Sequence, residues 1–231
     1  GGFAAYDTPL GSIPGVGPTS HTRAAKEIAA EHAVEMLLPH VKYLRDNAGL
    51  AETEGPALEA VLVPPMSSSQ LQRQARMLLD ALGGSGSAAG TSNAAGLART
   101  LILVSSDFTH YGPRFDYTPY GQVPRVEQRV REDDMRVAQA LCGADTEALS
   151  ELFSGSNPPT VCGRYPALLA AQLWQRAGYR GSIADYYNSN DVLHADEPEE
   201  REDSFVCYAA IRMEAPEAET DASGRSRSES S

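Results

Sequence analysis

A short apolar run that ends abruptly in polar residues constrains this chain more than any other feature. Leu101 to Val104 is wholly apolar and partly β-branched, which predicts a strand buried on both faces. Small hydroxyls, Asp107 and His110 follow directly, and such groups at the carboxyl end of a buried strand are what an open α/β sheet presents to a ligand. We therefore expect Asp107 and His110 to share one bound group or to pair with each other. The alternative is an ordinary surface turn with a capping aspartate.

Strand and helix patterns alternate along the rest of the chain. Further strands are predicted at residues 58–64, 182–187 and 204–213. Helices are predicted at about 22–38, 67–82, 124–141, 145–153 and 161–177, and Pro39 should end or kink the first of them. This alternation predicts a three-layer α/β arrangement.

One domain is expected to cover residues 1–213. Residues 83–96 are rich in glycine, serine and alanine, which predicts a flexible insertion within that domain. Residues 214–231 are acidic and serine-rich, which predicts a disordered tail.

Composition excludes several classes of partner. The formal net charge of −12 argues against nucleic acid and against an anionic membrane surface. No apolar run is long enough to span a bilayer. The three cysteines, Cys142, Cys162 and Cys207, are too few and too widely spaced for a disulfide framework. We therefore expect a reducing compartment, with a cytoplasmic location or a cytoplasmic and nuclear one.

Two other segments carry candidate functional side chains. Cys162 precedes Gly163 and Arg164 at a predicted helix start, where helix amides and a guanidinium favour a thiolate. His32 lies on a mostly apolar helix face, where a core or boundary histidine is the more common arrangement. Together with Asp107 and His110, these residues allow a metal or acid–base site suited to copper, iron or zinc, or no site at all.

Five segments in this order resemble the Memo (mediator of cell motility) family, whose prokaryotic members are called AmmeMemoRadiSam system protein B. They extend over most of the chain, and the Ser-Ser-Asp-Phe-x-His and Cys-Gly-Arg-x-Pro motifs are the most specific. The matching segments are residues 8–11, 31–39, 104–115, 161–166 and 203–210.

The resemblance implies a three-layer α/β/α sandwich on a central mixed sheet, like that of class III extradiol dioxygenases. It also implies a pocket that holds copper or iron through two histidines and a cysteine. His32 and Cys162 match two of these ligands, while Asp107 and His110 match the polar residues beside the metal, with His110 as an acid–base group. The family further implies a redox-capable protein in signalling, cell motility or cytoskeletal regulation.

The chain departs from the family pattern at its beginning. The family's other ligand histidine follows an early strand that precedes the Thr8-Pro9-Leu10 segment, so we expect an N-terminally truncated domain that lacks this ligand. His21 is not its replacement, because it comes after that segment and no apolar strand precedes it.

Two alternative functions remain open at the level of sequence. One is a non-haem iron, ring-cleaving dioxygenase, which is a metal-dependent oxidoreductase. Those enzymes use a carboxylate as a metal ligand where this chain would use a cysteine. The other is a binding module without catalysis, whose pocket would hold a phosphorylated or acidic peptide of a signalling protein. Its expected lining residues are Tyr111, Arg114, Phe115 and Arg164.

Overall fold

The fold combines helices with a small antiparallel sheet. The computed structural model describes residues 5–14, 32–49, 58, 60–83, 97, 99–121 and 125–216. The strands are β1 (Ala5–Thr8), β2 (Gly11–Pro14), β3 (His110–Tyr111), β4 (Arg180–Asn188) and β5 (Phe205–Glu214). The helices are α1 (His32–Glu35), α2 (Leu38–Asn47), α3 (Ser68–Gly83), α4 (Val126–Cys142), α5 (Thr146–Ser154), α6 (Arg164–Ala177) and α7 (Ser189–Leu193), with short 3-10 turns at Pro113–Phe115 and Pro198–Glu200.

Strand β5 is the centre of the sheet that carries the candidate site. It pairs antiparallel with β4 along most of its length, so that Tyr187 lies opposite Tyr208 and Asn188 opposite Cys207. On its other edge it pairs antiparallel with β3, and His110 lies opposite Val206. The predicted strands at 182–187 and 204–213 are thereby confirmed. Strands β1 and β2 form a separate antiparallel hairpin.

The predicted strands at 101–104 and 58–64 are wrong for the residues described there. Neither segment pairs with another described strand, and Leu101 is 78% exposed while Leu103 is 48% exposed. A strand needs a hydrogen-bonded neighbour, and apolar composition alone does not supply one. Val61 and Leu62 are likewise exposed.

Two helices begin where residues at their amino ends favour a helix start. The side chain of Asp145 accepts a hydrogen bond from Ala148 N at 3.0 Å and so caps α5. Pro39 lies in the first turn of α2, where its missing N–H costs no hydrogen bond, so it begins a helix instead of interrupting one. Of the helix predicted at 22–38, residues 22–31 lie outside the described part, as do residues 84–96 of the predicted insertion and 217–231 of the predicted tail.

The main hydrophobic core lies between α3, α4, α5, α6 and β5. Its fully buried members include Ala75, Val137, Leu149, Ala171 and Phe205. A smaller cluster forms around Leu38 of α2, with Val34, Val41, Leu58 and Ala60 packed against it. None of the described helices combines the length and the apolar character that crossing a bilayer requires.

An ionic network ties the start of α4 to the segment that leads into β5. The guanidinium of Arg201 pairs with Glu127 and, at 2.7 Å, with Asp191. Asn190, 1% exposed, donates to Glu127 at 2.8 Å and to the carbonyl oxygen of Glu202 at 3.0 Å. Partial burial favours the neutral form of Asp191, but hydrogen bonds from Arg201 and from the backbone of Asn188 hold the pKa of that carboxyl below its usual value.

Candidate functional site

The polar turn after residue 104 meets the start of α6 at Cys162. The backbone N–H of Asp107 donates a hydrogen bond to Cys162 Sγ at 3.2 Å, and the Ser106 hydroxyl lies 3.6 Å from the same sulfur. The Gly163 N–H donates to Ser106 Oγ at 2.8 Å. The thiol is exposed and lies just before the amino end of the helix, so a reagent or ligand can reach it.

Asp107 and His110 form the pair that their spacing allows. The carboxylate Oδ2 of Asp107 lies 3.2 Å from His110 Nε2, and both side chains are partly exposed. The imidazole also stacks on the ring of Phe115, with 5.1 Å between ring centroids. A carboxylate at one ring nitrogen selects the tautomer and orients the ring, which suits an acid–base group.

The backbone of this turn is held from two sides. On one side, Phe108 N–H donates to Cys207 O at 2.8 Å and Cys207 N–H donates to Thr109 O at 2.9 Å, which extends the pairing of β3 with β5. On the other, the hydroxyl of Thr160 accepts from His110 N at 2.8 Å and donates to His110 O at 3.1 Å. Thr160 follows two prolines and carries no motif that marks it in the sequence.

Tyr208 is a further neighbour of the pair that sequence reasoning did not single out as a site residue. Its ring packs against that of Tyr187, with 5.2 Å between centroids. Burial, and then the nearby charge of Asp107, raise the pKa of the Tyr208 phenol. Tyr208 follows Cys207 in β5, and alternation along this strand, within the family-like segment 203–210, is a signal that could have indicated it.

Cys162 also borders a largely apolar cleft of about 690 Å³. Its other walls come from α1, α2, residues 60–64, the residues before the polar turn and the first turn of α6, including Val34, Leu37, Val63, Leu103 and Tyr165. His32 is exposed at the start of α1 and is not among the lining residues, although its neighbours Ala33 and Val34 are.

The structure therefore brings three of the four predicted metal-site residues into contact, whereas His32 is not among the residues that line the cleft beside Cys162. Cys162, Asp107 and His110 form a chain of contacts in which Asp107 is the middle member, instead of surrounding a common point. Within the described ranges, no group of three histidine, cysteine or acidic residues is placed to hold a metal ion. The metal ligands thus stay a prediction, and the described donor set does not by itself form a three-ligand site.

The residues predicted to line a peptide or anion pocket have different surroundings, and one of them, Phe115, stacks on His110. Arg164 is half-buried, lies over the ring of Tyr165 at 4.9 Å from its centroid, and pairs with no carboxylate in the part of the chain that the structure describes. Arg114 is exposed and lies 3.7 Å from Glu202.

The prediction that Tyr111 lines the pocket is wrong, because this residue is buried in the core. Only 1% of it is exposed, its ring stacks on Phe205 at 5.3 Å, and its hydroxyl donates to Gly121 O at 2.6 Å. Burial raises the pKa of its phenol. Tyr111 faces the core because strand alternation places it on the side of the sheet opposite to His110.

Comparison with known proteins gives a consistent result across most of the chain. Residues 18–212 match the family model described as Memo-like protein. A MEMO1 family protein of Pyrococcus horikoshii is 30% identical over 230 residues, which cover 89% of this chain and 67% of the relative. A MEMO1 family protein of Pyrococcus furiosus is 26% identical over 185 residues, which cover 79% of this chain and 56% of the relative.

An animal protein is similar over a shorter region. Protein MEMO1 of Danio rerio is 29% identical over 140 residues, which cover 59% of this chain and 40% of that protein. The chain thus spans between about half and two thirds of the length of the curated archaeal relatives it matches.

Proposed function

The chain belongs to the Memo-like protein family, and from that membership we propose that its function resides in the cluster of Cys162, Asp107 and His110. One observation carries the proposal: Asp107 contacts Cys162 through its backbone N–H and His110 through its carboxylate. A thiol, a carboxylate and an imidazole are thereby adjacent beside an apolar cleft of about 690 Å³ that Cys162 borders.

The proposed chemistry assigns a separate role to each side chain. His110, oriented by Asp107, exchanges a proton with a bound ligand as a general acid or base. Cys162 provides a sulfur that serves as a nucleophile or as a soft ligand. The apolar walls of the cleft favour the non-polar part of a small molecule or peptide.

Copper or iron is the cofactor that we propose for this cluster, with a redox role in signalling, cell motility or cytoskeletal regulation in the cytoplasm. Support comes from the donor types, because thiolate and imidazole are ligands that these metals accept. Among the described residues no group of three possible ligands is placed to hold a metal ion, and His32 is exposed and does not line the cleft. Metal binding at Cys162 therefore needs further ligands that the described residues do not already hold in place around it. We propose the three-layer, dioxygenase-like sandwich for this chain because it belongs to the Memo-like family.

Replacing Cys162 by serine is expected to weaken uptake of copper or ferrous iron at least ~10-fold, because serine removes the only thiol at the cluster. Elemental analysis after incubation with each metal and gel filtration measures the uptake. Cys142→Ser is the matched control, since that thiol lies at the end of α4 and is half-buried. Equal retention by wild type and Cys162→Ser contradicts the metal proposal. Oxygen consumption with catechol and ferrous iron would reveal the ring-cleaving alternative.

Arg164 supports a second candidate function, the binding of a phosphorylated or acidic peptide. Its guanidinium has no carboxylate partner among the residues described, and it lies two residues after Cys162. A half-buried cation that no described carboxylate neutralises favours an anionic ligand.

Arg164→Gln is expected to weaken binding of a phosphotyrosine peptide ~10-fold or more, since a hydrogen bond to a charged group contributes about 1.5–3 kcal/mol. Calorimetric titration of wild type and variant measures the change. Arg114→Gln, at an exposed arginine that Glu202 already neutralises, should change the affinity little. Failure of the wild type to prefer the phosphorylated peptide over its unphosphorylated form contradicts this function.

A further inference from the structure

A buried acid lies behind the polar turn, on the far side of the sheet from the candidate site. Asp134 of α4 is 0% exposed. Its Oδ1 accepts a hydrogen bond from the Thr109 hydroxyl at 2.6 Å, and its Oδ2 accepts one from the Tyr186 hydroxyl at 2.8 Å. Both neighbours are themselves buried, Thr109 at 2% and Tyr186 at 8% exposure.

This carboxyl has hydroxyl donors but no cation in the described ranges. Burial raises its pKa, and the hydrogen bonds from Thr109, Tyr186 and Cys207 oppose that rise. An acid in such a place destabilises the fold unless its hydrogen bonds are complete, so each of its donors is held in one position.

Thr109 links that acid to the candidate site. In the antiparallel pairing of β3 with β5, His110 lies opposite Val206, and Thr109 accepts the Cys207 N–H through its carbonyl oxygen. Successive side chains alternate between the two faces of such a pair. The Thr109 side chain therefore points to α4 and the core, while His110 points to the site.

We propose that Asp134 is a positioning residue for the Asp107–His110 pair and acts through the Thr109 hydroxyl. Thr109 lies between Asp107 and His110 in the chain. Its hydrogen bond to Asp134, the anchor, therefore limits how far the backbone on either side can rotate. Tyr186 donates to the other carboxylate oxygen, so Asp134 keeps one hydroxyl partner when either donor is removed. The consequence for activity rests on the proposed function, whereas the placement of His110 can be measured without it.

Thr109→Val tests the anchor, because valine keeps the branched shape and removes the hydroxyl. The His110 ring stacks on Phe115, so its ring protons carry a ring-current shift that reports their separation. In NMR spectra of the full chain, Thr109→Val should move the His110 ring signals towards their position in Phe115→Leu. Thr109→Ser, which retains the hydroxyl, should restore them.

Tyr186→Phe is the matched control, since it removes a hydroxyl from the same carboxylate but belongs to β4, away from the turn. It should lower the midpoint of thermal unfolding about as much as Thr109→Val does and leave the His110 signals in place. Equal shifts in both variants, or no shift in Thr109→Val, overturn the proposal. Should Thr109→Val not fold, the wild-type protein decides, because a Thr109 hydroxyl proton that exchanges rapidly with water also overturns it.

These measurements separate the positioning role from the proposed function. Equal metal uptake by wild type and Cys162→Ser refutes the metal proposal but leaves the His110 signals of the Thr109 variants unaffected. Conversely, unchanged His110 signals in Thr109→Val refute the anchor even if Cys162→Ser loses its metal.

Discussion

Replacing Gly163 by alanine is expected to separate Cys162 from Asp107 and to lower the free energy of unfolding by about 1–3 kcal/mol. A Cβ atom at Gly163 would lie 2.5 Å from Ser106 Cβ, 2.7 Å from Ser106 Oγ and 3.0 Å from the Ser105 carbonyl oxygen. The Ser106 Cβ atom and the Ser105 carbonyl oxygen are fixed by the backbone, so side-chain rotation cannot move them away. The polar turn must therefore move back from the start of α6.

This displacement breaks two hydrogen bonds at the site. The Gly163 N–H currently donates to Ser106 Oγ, and the Asp107 N–H donates to Cys162 Sγ. We expect the Asp107 amide proton to exchange with solvent ~5-fold faster in Gly163→Ala, since a net hydrogen bond contributes about 1 kcal/mol. Urea unfolding measures the stability and NMR hydrogen exchange measures the amide.

Gly143→Ala is the control for the loss of glycine itself. Gly143 follows α4 with φ −75°, and its nearest non-neighbour atom would lie 3.6 Å from an added Cβ, an ordinary contact. Its stability should stay within about 0.5 kcal/mol of wild type. If Gly163→Ala retained both wild-type stability and a protected Asp107 amide, the close approach of these two segments would be disproved.

Gly112→Ala is expected to cost roughly 3–5 kcal/mol of stability, the largest effect of any substitution considered. The residue has φ 114° and ψ 174°, a backbone region that is essentially confined to glycine. An added Cβ would also lie 2.5 Å from Ser204 Cα and Ser204 Oγ, and would overlap the Asp203 carbonyl oxygen. Strain and overlap act together, so relief of one does not relieve the other.

The same substitution should disturb the site, because Gly112 follows β3 directly and precedes the 3-10 turn that carries Phe115. Its N–H donates to Tyr117 O at 2.8 Å, and Ser204 Oγ accepts from Arg114 N at 3.1 Å. We expect the ring-current shift of His110 to decrease along with the midpoint of urea unfolding.

Gly121→Ala separates strain from overlap. Gly121 also has a positive φ, +63°, but nothing lies within 4 Å of an added Cβ. Left-handed backbone alone costs about 1–2 kcal/mol, so Gly121→Ala should be destabilised by that amount and no more. Equal losses in Gly121→Ala and Gly112→Ala would show that Asp203 and Ser204 do not enclose Gly112 as described.

Local patterns predicted those parts of the fold whose cause is local. The helical periodicity placed α4, α5 and α6 within a few residues of their observed bounds, and the strand patterns placed β4 and β5. The spacing of Asp107 and His110 likewise allowed a direct contact, because a tight turn brings side chains at i and i+3 together.

Contacts between distant segments were not predictable in this way. The apolar residues 101–104 have the composition of a buried strand, yet strand formation depends on a partner from another part of the chain, and no described segment pairs with them. Tyr111 was expected beside a ligand because it neighbours His110, but the register with β5 turns it into the core.

The amino-acid sequence by itself determined the family, the mixture of helices and strands, and the residue types at the candidate site, because motif, periodicity and capping are properties of neighbouring residues. Only the tertiary structure decided that the Cys162 sulfur accepts a hydrogen bond from the Asp107 amide and that Asp134 lies behind Thr109. These contacts join residues separated by 25 to 55 positions in the chain, so they depend on the packing of distant elements, such as β5 against α4, and not on any local preference.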